Sequence, residues 1–186
     1  MKNGKVLVVA GGLWQVPLIK YLKNKGHQVW VVDPYLHSPG VKYADVHIQS
    51  DVRDFENIKE ILKKEKFEFI VTDQSDISVN TVEKLNNFFN LPGNDVYVTD
   101  TFVNKYKMRL LAKTLALFVP EFCKINNSID LQKFIEKVSL PIILKPADSQ
   151  SSRGVVKIDE SNISNIEHEV VNSLKYANCG YLIAEK

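Results

Sequence analysis

Three apolar runs, "KVLVVA" at 5–10, "QVWVVD" at 28–33 and "FEFIVTD" at 67–73, are continuous rather than alternating. A strand with one face in water shows every second residue polar, so a run apolar throughout has to be covered on both faces. Helical spacing fills the intervals. Leu18, Ile19 and Leu22 follow Pro17, and Phe55, Ile58, Ile61 and Leu62 follow a capping Asp54. A short strand is expected at Val46–Ile48, and a helix over 76–89 carries Val79, Val82, Leu85 and Phe88 on one side. This alternation predicts βαβ units in a parallel, Rossmann-like sheet with right-handed crossovers.

The pattern changes after "LPGND". "TDTFVNKYKMRLLAKTLAL" reads as helical throughout, "PEFCKI" as a short strand, and Ser128 can cap the helix "IDLQKFIEKV". "PIILKPA" and "GVVKI" are strands flanking a polar loop, "NISNIEHEVVNSL" is a helix, and "GYLIAEK" begins a last strand. The expected division is therefore a parallel-sheet domain over residues 1–98 and a smaller α+β unit over 99–186.

Several function classes recede. A net charge of +2, from 24 basic and 22 acidic residues, offers no electrostatic footprint for nucleic acid or a membrane surface. No apolar stretch reaches the ~18 residues that would span a bilayer. Cys123 and Cys179 stand far apart and match neither a disulfide framework nor a zinc pattern, which points to the cytoplasm. The four histidines share no metal-ligand spacing, so no metal site is expected within this chain. The opening "MKNGKVLVVAGG" has the outline of a secretory leader, but its β-branched run breaks at Gly11-Gly12 and reads better as a buried strand.

Two places carry candidate chemistry. At the strand ends, Gly11, Gly12, Trp14 and Asp33 join Asp73 and Asp76 of "TDQSD". Open α/β sheets bind ligands there, so these six residues form a candidate small-molecule pocket. The turn amides of "AGGLWQ" could hold an anion, and Asp33 echoes the acidic residue of dinucleotide sites. Yet G-x-G-x-x-G is absent, which argues against NAD and leaves a tight turn as the alternative. Asp76 has a second reading, as the cap of the following helix. The other place is "PIILKPADSQSSRGVVKI". Lys145 ends a buried strand, a costly position for an ammonium unless an anion meets it. The hydroxyls, amides and Arg153 that follow suit phosphate oxygens. Local pattern alone leaves a polar hairpin and a phosphate cradle both open.

Four segments, taken in order, resemble the ATP-grasp superfamily. The Rossmann-like front unit, opening "VLVVAGGLWQVPLIKYLKNKGHQVWVVD", is similar to the domain preceding the ATP-grasp fold in biotin carboxylase and carbamoyl-phosphate synthase relatives. "NKYKMRLLA" resembles the helix with the family's first nucleotide lysine, at Lys105. "PIILKPADSQSSRGVVKI" resembles the strand-lysine-loop-strand of the nucleotide clamp, in the serine-bearing version of D-alanine–D-alanine ligases. "YLIAEK" resembles the hinge strand. The resemblance implies an α/β fold in which the front domain is followed by the first, α+β subdomain of an ATP-grasp fold, truncated at the hinge. It implies ATP held by Lys105 and Lys145 at the α- and β-phosphates, by Ser151, Ser152 and Gly154 closing over them, and by Glu185 and Lys186 at adenine. The implied reaction is that of a carboxylate ligase passing through an acyl phosphate to an amine or similar nucleophile. Mg2+ is implied too, with its ligands expected beyond residue 186, and so is a homodimer through the front domain. On this reading the chain is an N-terminal fragment with no turnover and weak nucleotide binding. The alternative is a non-catalytic Rossmann-like ligand-binding or regulatory module.

Overall fold

The burial of the first strand shows how the front unit is organised. A computed structural model describes residues 4–186. In β1 (Lys5–Val9) the four residues Val6 to Val9 are wholly buried. Leu7 and Val9 enter one apolar cluster, while Val6 and Val8 enter another on the opposite face. The second cluster is closed by Ile19 and Leu22 of α1 (Val16–Asn24), beside Val29 and Val31 of β2 (Gln28–Val32). After β3 (Val46–Ile48), the first cluster receives Ile58 and Leu62 of α2 (Phe55–Leu62). After β4 (Phe69–Val71), it receives Val82 and Leu85 of α3 (Asp76–Phe88). Helices thus cover both faces, as the continuous apolar runs require. All strand pairs are parallel, in the order β3-β2-β1-β4.

That order places a topological switch between β1 and β4. The chain leaves β1 toward β2 and β3, then returns to the other side of β1, so a crevice opens at the C-terminal ends of β1 and β4. A short 3-10 turn over Leu13–Gln15 lies there, ahead of α1.

The chain divides into two compact units, Met1–Asp100 and Thr101–Lys186, with α4 (Val96–Phe102) running through the division. In the second unit come α5 (Lys105–Thr114), β5 (Phe122–Ile125), α6 (Ser128–Val138), β6 (Ile142–Pro146), β7 (Val156–Ile158), α7 (Ile166–Leu174) and β8 (Leu182–Glu185). Its strands pair antiparallel in the order β5-β8-β6-β7. Leu131 and Phe134 of α6 and Ile166 and Val170 of α7 bury Ile142, Leu144, Leu182 and Ala184. Both helices therefore lie on one face of the sheet, and the intervening residues Ile143, Lys145, Ile183 and Glu185 belong to the other.

Local chemistry displaces several expected boundaries. The single helix expected over 99–117 is two helices, because the Asn104 side chain accepts from the Lys107 amide and starts α5 afresh. Ser75, not Asp76, holds the cap position of α3, and Asn127, not Ser128, caps α6 by accepting from the Asp130 amide. Ile61 and Phe88 point outward, and Phe89 packs on the core instead of Phe88. Asp54 caps α2 as its sequence suggests. Among the described residues no helix is long and apolar enough to cross a membrane.

Candidate functional site

Alternation along β6 carries Lys145 out of the core. Leu144 and Pro146 are buried, while Ile143 and Lys145 turn to the face that α6 and α7 leave uncovered. The register pairs Ile143 with Glu185 and Lys145 with Ile183, which makes Lys145 and Glu185 diagonal neighbours on that face. Their side chains form an ion pair through Glu185 Oε2. The other oxygen, Oε1, accepts from Arg109 Nε at 2.7 Å. Glu185 is only 7% exposed, so this carboxylate is nearly dry and holds one cation on each oxygen. One negative and two positive groups leave the cluster with an excess of one positive charge.

The loop that follows is tied at its root. Lys105 donates its amide to Ala147 O at 2.8 Å and its ammonium to Ser149 O at 2.7 Å. Beyond that anchor, Ser151 and Ser152 stand exposed and both take left-handed backbone, at φ 55° and 56°. Each such residue costs about 1–2 kcal/mol where no glycine is present, and strain of this kind gathers at ligand clamps. Gly154 then turns the chain back into β7 at φ 72°. A side chain there would stand 2.8 Å from Pro146 Cγ and 2.9 Å from Tyr176 Cδ2. The serine loop is thus fixed at both ends, and between them the Arg153 amide donates to Gln150 O at 3.2 Å. Lys186 stands apart from the cluster: its ammonium donates to the carbonyls of Ser139 and Leu140.

In the front unit the six strand-end residues divide into two groups. Asp33, 5% exposed, accepts from the Gly11 amide at 2.9 Å, the Tyr35 amide at 2.9 Å and the Ser38 hydroxyl at 2.6 Å. Its carboxylate is engaged in tying the β1 turn to the loop after β2, and the Gly11 amide offered above to an anion is already used. Gly12, Trp14, Asp73 and Asp76 stay near the solvent, Trp14 at 70% exposure. The last residue of the "AGGLWQ" turn joins it to the "TDQSD" loop. Gln15 is buried, and its side-chain amide donates to the Asp73 carbonyl, bridging the crevice between the ends of β1 and β4.

Among the described residues no three histidine, cysteine, aspartate or glutamate side chains converge as a metal group. Burial, and after it the nearby Asp130, push the Cys123 thiol above its ordinary value, which suits a packing role rather than a nucleophile.

No family model matches the chain. Formate-dependent phosphoribosylglycinamide formyltransferase of Prochlorococcus marinus (strain AS9601) is 27% identical over 160 residues, 85% of this chain and 41% of that protein. D-alanine–D-alanine ligase of Neisseria gonorrhoeae (strain NCCP11945) is 34% identical over 94 residues, 50% of this chain and 30% of the ligase. The solved N5-carboxyaminoimidazole synthetase of Staphylococcus aureus complexed with ADP superposes with a TM-score of 0.78 at 20% identity, over 98% of this chain and 47% of that one. These relatives are ATP-grasp enzymes, and the chain is similar to their N-terminal portion. It spans less than half the length of these ATP-grasp relatives.

The second unit brings together Lys105, Lys145, the serine loop and Glu185. It leaves Lys186 to one side and adds Arg109, which the sequence reading missed. A signal for Arg109 was available. It lies four residues after Lys105 on the same helix, and such pairs share a face.

Proposed function

We propose that the second unit binds ATP through its phosphates on the sheet face that α6 and α7 leave uncovered, and that the chain is the nucleotide-holding front portion of an ATP-dependent ligase joining a carboxylate to an amine. The observation that carries this reading is the surplus cation: a buried carboxylate holding both Lys145 and Arg109, beside a lysine-anchored loop of strained serines. Lys145 turns to the phosphates. Lys105 fixes the loop root and adds positive charge beside it. The amides and hydroxyls of Ser151, Ser152 and Gly154 close over the phosphate oxygens. Glu185 accepts from the adenine amino group. ATP supplies the phosphoryl group that activates the acid as an acyl phosphate, from which the amine displaces phosphate. The protein's part in such transfer is positioning and charge neutralisation, and these residues supply both. Recognition of the acid is assigned to the strand-end loops of the front unit, with Gly12, Trp14, Asp73 and Asp76.

The test is calorimetric titration of the chain with MgATP and MgADP, wild type against Lys145→Ala. Losing a charge-assisted phosphate contact costs about 1.5–3 kcal/mol, roughly tenfold or more in affinity. Equal affinity in the two proteins removes Lys145 from the site.

A further inference from the structure

We infer that Arg109 is a positioning residue for the nucleotide site: it keeps the Glu185 carboxylate neutralised when Lys145 leaves it for a phosphate. The inference rests on the nucleotide reading above and adds a requirement to it.

The argument starts from burial. Glu185 is 7% exposed and its two oxygens have separate cationic partners, Lys145 from β6 and Arg109 from α5. Withdrawing the sole partner of a buried carboxylate is strongly unfavourable, because a desolvated charge is left without compensation. A lysine with such an obligation would not be available to an incoming anion. Here the obligation is shared. The guanidinium is always charged, and its rigid fork keeps its place when the ammonium moves. Two other lysines on this sheet face, one on β5 and one on β7, are engaged elsewhere. The Lys124 ammonium lies over the Tyr181 ring, 4.1 Å from its centroid, and Lys157 pairs with Asp159 at 3.1 Å. Arg109 is therefore the group placed to hold Glu185 alone. The same helix serves both ends of the site, since Lys105 and Arg109, one turn apart on α5, reach the loop root and β8 respectively.

A double-mutant cycle on the full chain tests this, with MgATP affinity measured by calorimetry. Lys145 acylation is followed in parallel by peptide mass spectrometry. Arg109→Gln lowers MgATP affinity about tenfold, the size of one charge-assisted contact. Glu185→Gln removes the charge that Lys145 must otherwise serve and keeps an acceptor for adenine, so Arg109→Gln/Glu185→Gln binds within about twofold of Glu185→Gln alone. Arg109→Lys retains most of the wild-type affinity. Without nucleotide, Lys145 is acylated more slowly in Arg109→Gln than in wild type, since it has become the only partner of Glu185. Wild-type affinity in Arg109→Gln overturns the inference, and so does a double variant that falls as far below Glu185→Gln as Arg109→Gln falls below wild type. A loss of folding alone would not be repaired by Glu185→Gln. Should the wild-type chain bind no nucleotide, the nucleotide reading itself fails. The acylation rate then separately reports whether Arg109 shares the charge of Glu185, and an unchanged rate refutes that sharing.

Discussion

Gly154 carries two separable penalties against any side chain, and a matched glycine in the same unit lets them be measured apart. At Gly154 the backbone has φ 72°, and an added Cβ would meet Pro146 Cγ at 2.8 Å, Tyr176 Cδ2 at 2.9 Å and Ser173 O at 3.2 Å. At Gly180 the backbone is equally left-handed, φ 77°, with nothing within 4 Å of the added atom. Alanine in left-handed backbone costs about 1–2 kcal/mol. Overpacking adds about 1–3 kcal/mol when the neighbours are fixed. Tyr176 is half-exposed and can swing aside, but Pro146 is buried in β6 and the Ser173 carbonyl ends α7, so neither can yield. Gly154→Ala should therefore destabilise the chain by about 2–5 kcal/mol and Gly180→Ala by about 1–2 kcal/mol. Urea unfolding followed by far-UV circular dichroism gives both values with linear extrapolation. If the two variants agree within about 0.5 kcal/mol, the tight return of the loop into β7 is not what demands glycine there.

Two further predictions test the placement of carboxylates. Asp33→Ala leaves the Gly11 and Tyr35 amides and the Ser38 hydroxyl without their acceptor, and should cost about 2–4 kcal/mol in urea unfolding. A loss below about 0.5 kcal/mol would return Asp33 to the pool of ligand-facing residues. Asp159 is held down to about 2, first by the Ser161 hydroxyl and then by Lys157. Because its folded value is depressed, its contribution to stability is complete above the ordinary aspartate value and is lost as pH falls through about 2. A carboxyl-carbon NMR titration should place the midpoint there and show it rising in Ser161→Ala. A midpoint near 4 in wild type would contradict the contact.

Much of the fold could be read from spacing alone. The continuous burial of Val6 to Val9, the helical stripe Ile58 and Leu62, and the Lys145 loop between two β-branched runs are local patterns, and each residue's side of its element follows from a period of 2 or 3.6. A parallel front sheet followed by an α+β unit was legible for that reason. What spacing could not order was competition between neighbours of similar chemistry. Asn104 interrupts a helix-compatible run because its side chain captures the Lys107 amide. Ser75 and Asn127 hold cap positions that Asp76 and Ser128 could equally have filled.

The candidate site divides along the same line. Its lysines and its serine loop announce themselves in sequence, because a cation after a buried strand is conspicuous wherever it occurs. Their partners do not. Arg109 meets Glu185 across 76 residues, Lys105 meets Ser149 across 44, and Gln15 meets Asp73 across 58. Only the antiparallel register of β6 on β8 sets Lys145 beside Glu185, and only the strand order β3-β2-β1-β4 opens the crevice that Gln15 spans. A one-residue slip in that register would turn Glu185 into the apolar core without changing a letter of the sequence. The chain thus states by itself which residues can carry charge to a site, while the pairing of distant strands decides which charges meet, because ion pairs and hydrogen bonds act over a few ångströms of space.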